Sequence, residues 1–165
     1  MSAISEAFDI STAPRLSRAR AVLIMFAVTL TMGIVLLVAF EPEVQTIDAR
    51  ELVARQSDAR EFLVADYLFV VLYAVLSPIA IWRFGASIGP GSPPLWIKLT
   101  AFFLVAAGLV DATENTLLFS ATDAVSEGAV DAAHSLEIPT IMLFTAGVLF
   151  AIAATVRAVR ALRGQ

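Results

Sequence analysis

Residues 95–119 read LWIKLTAFFLVAAGLVDATENTLLF, and this stretch decides the fold. As a helix it is about 37 Å long at about 1.5 Å per residue, enough to cross about 30 Å of hydrocarbon. Yet Asp111, Glu114 and Asn115 lie inside it. A charged side chain there costs roughly 3 kcal/mol even on lenient scales, so it is kept where it faces other helices and has a partner or a task. Three more apolar runs accompany this one, at about 21–40, 62–84 and 136–156. The run at 62–84 also holds an acid, Asp66.

The composition agrees. Hydrophobic residues make up 59% of the 165 residues and charged ones 16%, with a mean hydropathy of +0.84. A soluble domain is nearer half apolar and about a quarter charged. Here the charges are bunched between the apolar runs. The expected fold is all-α: one integral membrane domain over residues 1–165, a four-transmembrane-helix antiparallel bundle with a short outer surface helix. The first run is too long for a signal peptide and lacks a small-x-small cleavage site after it, so it reads as an uncleaved span. The chain has no Cys, which excludes an iron–sulfur cluster, thiolate metal sites and disulfide exchange. Its single His, His134, excludes a bis-histidine haem within one chain. The lipid bilayer is the expected partner, and no nucleic acid is.

Lys and Arg predict the direction of the spans. Arg15, Arg18 and Arg20 precede span one, Arg83 and Lys98 flank the second loop, and Arg157, Arg160 and Arg163 follow span four. Four crossings put all eight on one side. Only Arg50, Arg55 and Arg60 fall on the other, among Glu41, Glu43, Asp48, Glu51, Asp58 and Glu61. The positive-inside rule places both termini in the cytoplasm of a bacterial-type inner or plasma membrane. Trp82 and Trp96 bracket the connector 85–94 as interface anchors. That Gly- and Pro-rich connector is a turn. It is no phosphate loop, because no strand precedes it and no Gly-Lys-Ser/Thr follows.

In the first outer loop, Asp48-Ala-Arg-Glu recurs as Asp58-Ala-Arg-Glu. Asp followed three residues later by Glu resembles a capping box. The expectation is a surface helix over about 49–56 and a fresh N-cap at Asp58. Glu51 and Arg55 stand at i,i+4 in the favourable order.

The acids converge by topology. Span two enters from outside near Glu61, which puts Asp66 about 7 Å deep. Span three leaves outward near Phe119, with Glu114 about 7 Å and Asp111 about 12 Å below the surface. His134 and Glu137 stand at the mouth of span four. Asp111, Glu114 and Asn115 share one arc of about 100°. Asp66, Tyr73 and Ser77 recur at i, i+7 and i+11 on one face of span two, and His134, Glu137, Thr140 and Thr145 form a weaker stripe on span four. Gly108-x-x-x-Ala112 and Gly147-x-x-x-Ala151 allow close helix approach. Span one has no ionisable residue in its apolar run. It reads as lipid-facing wall, with Thr29 and Thr31 bonding their own backbone. Pro78 should kink span two and free the carbonyl of Ala74.

The ligand- or proton-binding set predicted from these faces is Asp66, Asp111, Glu114, Asn115, Tyr73 and Glu137. Several carboxylates at low dielectric do not all ionise unpaired; a proton or a cation is shared among them. No Lys or Arg lies at that depth in any span. A divalent cation is one candidate occupant, since oxygen-rich sites suit hard ions. Asp111, Glu114 and His134 are its weak candidate ligands, because the spacing matches no metal motif. The bland alternatives are specific. Glu114 and Asn115 could serve packing through Tyr67, Tyr73 or Thr116. Glu137 could be a dipole partner at the start of span four, with Pro139 in its first turn. His134 is more often a solvated loop residue.

The layout is similar to that of the four-helix membrane group that includes the sterol isomerases, in which acidic residues line an intramembrane pocket. Asp111-Ala-Thr-Glu-Asn115 and Asp66-Tyr-Leu-Phe-x-x-x-Tyr73 do not match that group's motifs, so no residue role carries over. The small multidrug exporters also combine four spans with a membrane carboxylate; here the acids are more numerous and lie on spans two and three.

Three functions fit these features. The first is an outward-facing carboxylate pocket that binds a cation, a proton or an amphipathic ligand, a binding or transport role. The second is an intramembrane enzyme on a lipid-like substrate, for which no nucleophile stands out. The third is an accessory subunit of a membrane complex, or a homo-oligomer, whose acids point outward to a partner's basic residues.

Overall fold

The computed structural model describes residues 13–39, 49–87 and 92–163. Glu41, Glu43, Asp48 and the centre of the 85–94 turn lie outside the described residues, as does the side chain of Arg15. The described chain is all helical, with no strand. In order it forms α1 (Ala13–Ala39), α2 (Ala49–Ala54), α3 (Gln56–Val71), a π-helical turn (Leu72–Leu76), α4 (Ser77–Gly85), α5 (Leu95–Ala121) and α6 (Glu127–Arg163). Among the described residues, four helical stretches are long and apolar enough to cross a membrane: Leu16–Val35, Gln56–Gly85, Leu95–Ala121 and Glu127–Arg160. Their outer surfaces are apolar too. Ile24, Leu68, Leu109 and Met142, one on each stretch, are all more than half exposed. A monomer in water rarely exposes so much apolar surface.

The most extensive contact is between α5 and α6, and the stretch from α3 to α4 packs along α5. One buried cluster joins all four long stretches through Val22, Tyr73, Phe84, Ile97, Leu104 and Ala154, among others. A second, smaller cluster sits at the end that carries the 122–126 turn. There Ala59 and Leu63 of α3 meet Leu118 and Ala121 of α5 and Val130 and Ala133 of α6.

That second cluster explains where the boundaries differ from expectation. The second stretch begins at Gln56, ahead of the N-cap expected at Asp58 and of the apolar run at 62, and the fourth begins at Glu127 rather than 136. Glu127, Asp131, His134 and Ser135 dilute the apolar signal, but Val130 and Ala133 keep the helical spacing and are buried. The backbone amides of Ala129 and Val130 both donate to the Ser126 carbonyl, which starts the helix early. Pro139 and Glu137 therefore do not stand in a first turn. Pro139 is inside α6, and Glu137 is too far from the helix start for the dipole to reach it. His134 is helical and partly buried, not a loop residue.

Asp58 is not an N-cap. Arg55 holds that position, with φ −103° and ψ 32° and no side-chain cap. The Arg55 amide donates to the Glu51 carbonyl, and the Ala59 amide to that of Arg55, so hydrogen bonding runs nearly unbroken from α2 into α3. Asp58 falls in the first turn of α3, where an acid suits the positive end of the dipole. Glu51 and Arg55 form their i,i+4 ion pair at 3.1 Å. Arg60 pairs with Asp123, donates from Nε to the Thr122 hydroxyl at 3.0 Å and lies over the Phe119 ring. These contacts tie the start of α3 to the 122–126 turn.

Pro78 acts through a change of helix type. The π turn directly precedes α4, and the Ser77 hydroxyl donates to the Leu72 carbonyl at 2.9 Å. A π turn inserts about one residue relative to an α turn and so rotates the downstream side chains by about 100°. Ser77 is thereby swung away from the Asp66 face. Its hydroxyl meets Thr29 of α1 at 3.2 Å. The single stripe Asp66–Tyr73–Ser77 expected from uniform α-helical spacing is split, and Thr29 bonds across helices rather than only to its own backbone.

Candidate functional site

A cavity of about 190 Å³ opens among the middle stretches. Asp66 and Tyr73 reach it from the α3–π segment, Asp111, Glu114 and Asn115 from α5, and Glu137 from α6. The six residues singled out from sequence thus line one space. Phe62, Phe69, Leu118, Thr140, Ile141 and Phe144 complete the wall, and no Lys, Arg or His is among the lining residues.

Neutral donors hold two of the acids. The Asn115 amide donates to Asp66 Oδ2 at 2.7 Å, and the Tyr73 hydroxyl donates to Asp111 Oδ2 at 2.7 Å. Asn115 and Tyr73 are themselves almost wholly buried, 3% and 1% exposed, so these orientations are fixed by packing. Thr140 also lines the cavity, and its hydroxyl donates to the Leu136 carbonyl at 3.0 Å. The four carboxyls line one cavity and so lie within electrostatic reach of one another. Asp66 and Asp111 each keep oxygen lone pairs beyond the one donor named. Carboxyls that share one cavity can accept hydrogen bonds from a donor placed between them or hold a shared proton.

Tyr67 does not join this set. Its hydroxyl bonds Thr116 at 2.7 Å and the Ala112 carbonyl at 3.4 Å, which tethers α3 to α5. His134 does not line the cavity; its Nε2 is buried without a hydrogen-bond partner among the described residues. Thr145 is exposed. No group of three or more His, Cys, Asp or Glu among the described residues is arranged to hold a metal ion, so Asp111, Glu114 and His134 are not brought together as a ligand set.

On the aromatic side of the cavity, Phe69 and Phe144 were not singled out from sequence. Phe69, Tyr73 and Phe144 pack as a triangle, with centroid separations of 5.1, 4.9 and 6.0 Å. Phe69 follows Asp66 by three residues and so shares its face. Phe144 stands seven residues after Glu137, again on one face. The spacing was available, but aromatics at helical period normally signal core packing. No protein-family model, curated protein or solved structure matches this chain.

Proposed function

We propose that the chain is a four-span antiparallel membrane bundle with both termini in the cytoplasm, and that its carboxyl cavity binds a cation in exchange for a proton. One observation carries this reading. Four carboxyls from three separate helical stretches line a single cavity whose wall contains no basic side chain. Acids used only for packing would each be closed off by their own donors. Here Asp66 and Asp111 each have one neutral donor and open lone pairs toward a shared space. The subunit reading needs these acids on the lipid-facing surface, and their place in the cavity favours the pocket instead. Binding alone and coupled transport are both compatible with such a site.

Two measurements test this. The purified chain in lipid nanodiscs is titrated with Mn²⁺ or butylammonium while the carboxyl C=O stretch is followed by infrared. The expected result is loss of a protonated-carboxyl band as the cation enters. A spectrum unmoved by either ion removes the cation reading. Topology is tested by cysteine labelling, since the chain has no native Cys. With an impermeant reagent on intact cells, Ser126→Cys is expected to react and Ser92→Cys to be protected. The opposite pattern would place the termini outside.

A further inference from the structure

A second, larger cavity of about 280 Å³ lies beside the first, between α1 and the remaining stretches. Met25, Thr29 and Gly33 of α1 face Ser77, Leu104 and Val148 across it. Every polar group in its wall is already satisfied. Thr29 and Ser77 bond each other, Thr155 donates to the Ala151 carbonyl at 2.9 Å, and the Tyr73 hydroxyl is committed to Asp111. A cavity with no free polar group does not hold water. It takes an apolar occupant. On the α1 side, Leu30 and Ile34 line it yet are 54% and 53% exposed, so it opens sideways onto the apolar exterior.

The two cavities share a wall. Phe69, Tyr73 and Phe144 line both, so a single layer of rings separates the carboxyls from the apolar space. Charge complementarity selects what spans it. The carboxyl side favours a positive group, and aromatic faces add to that preference for a cation within about 6 Å. An anionic phosphate headgroup is disfavoured there by like charge.

From these adjoining cavities we propose that the chain binds a lipophilic amine. Its protonated nitrogen sits among Asp66, Asp111, Glu114 and Glu137. Its single hydrocarbon chain enters the cavity beside α1 once the partly buried Phe69 and Phe144 rings, 6.0 Å apart, swing aside. This rests on the cation-binding reading above and adds the ligand class and the second half of the site. It also gives α1 a role in binding beyond that of a lipid-facing wall.

The test uses the full chain in phosphatidylcholine nanodiscs. The probe is dodecylamine with a diazirine at the chain terminus. Photolabel is expected on the α1 and α6 residues that line the apolar cavity. Dodecylamine should displace it at concentrations at least tenfold below those needed with dodecanol or butylamine. Gly33→Leu and Val148→Phe, which fill the cavity from two different helices, should each reduce labelling tenfold or more in monodisperse protein. The same variants should leave the butylammonium effect on the carboxyl band intact. With two filling variants, misfolding of one leaves the other to decide. Equal competition by dodecanol, unchanged labelling in the filled variants, or label scattered over lipid-facing residues would overturn the proposal. A butylammonium response without cavity labelling leaves the cation reading standing and rejects only this extension. Loss of both responses rejects the two together.

Discussion

Gly108→Ala is expected to be the most disruptive glycine-to-alanine change among the described residues. An added Cβ would stand 2.2 Å from the Cβ of Ala74 and 3.4 Å from Val70 Cγ1. Carbon atoms pack at about 3.5–4.0 Å. The Ala74 methyl has no rotamer through which to escape, so α5 and the π turn must separate along their backbones. Such overpacking costs about 1–3 kcal/mol, and the rigid obstacle puts Gly108→Ala at the upper end. Gly147→Ala makes the informative comparison. Its nearest obstacle, at 2.6 Å, is Leu104 Cδ2, the tip of a flexible side chain, followed by Leu104 Cγ at 3.0 Å and the Leu104 backbone nitrogen at 3.3 Å. Gly147→Ala should therefore be the milder change. Unfolding midpoints in mixed micelles across a dodecyl sulfate titration measure both. Equal costs would mean that the approach of α5 to Ala74 is not tight. Because Asp111 is one turn from Gly108 on α5, the same separation should also pull Asp111 away from Tyr73.

Asp111→Asn should weaken cation binding tenfold or more while the protein folds normally. The amide keeps the shape and can still accept the hydrogen bond from Tyr73, so the packing of Tyr73 against Phe69 and Phe144 is retained. What is lost is one negative charge in a cavity without basic side chains. A tenfold loss corresponds to about 1.4 kcal/mol, modest for a charge contact out of water. Tyr73→Phe removes only the donor to Asp111 and leaves every charge, so its effect on affinity should be smaller. Calorimetric titration with butylammonium ranks the two. If Tyr73→Phe is the more damaging, the carboxyl group matters as a packing anchor and not as a counter-charge. If neither moves affinity, the ion binds elsewhere.

Much of the molecule was legible because bilayer thickness and helical period are simple rulers. The third stretch spans Leu95–Ala121, two residues past its expected end. The 111–114–115 spacing puts three polar groups on one arc, and the depth of Asp66 matches theirs only if consecutive spans run in opposite directions. Glu137 came to the same cavity for a reason the sequence hid. Its helix begins at Glu127, so a residue expected in the first turn is three turns inside. The missing signal was amphipathic: Val130 and Ala133 bury themselves against Ala59, Leu63 and Leu118 between charged neighbours.

The sequence by itself determined which segments are apolar enough to leave water and which acids lie within them, because both depend on transfer free energy summed along a single helix. Tertiary structure alone decided the partners. A π turn set in front of Pro78 is a choice among helix types of similar energy, made by packing around it. It leaves Tyr73 on the Asp66 face, donating to Asp111, and swings Ser77 round to Thr29. The apolar cavity beside α1 is likewise invisible along the chain. It is the space left where Gly33, Leu104 and Val148, on three separate helices, do not meet, and no one-dimensional pattern records a gap between side chains.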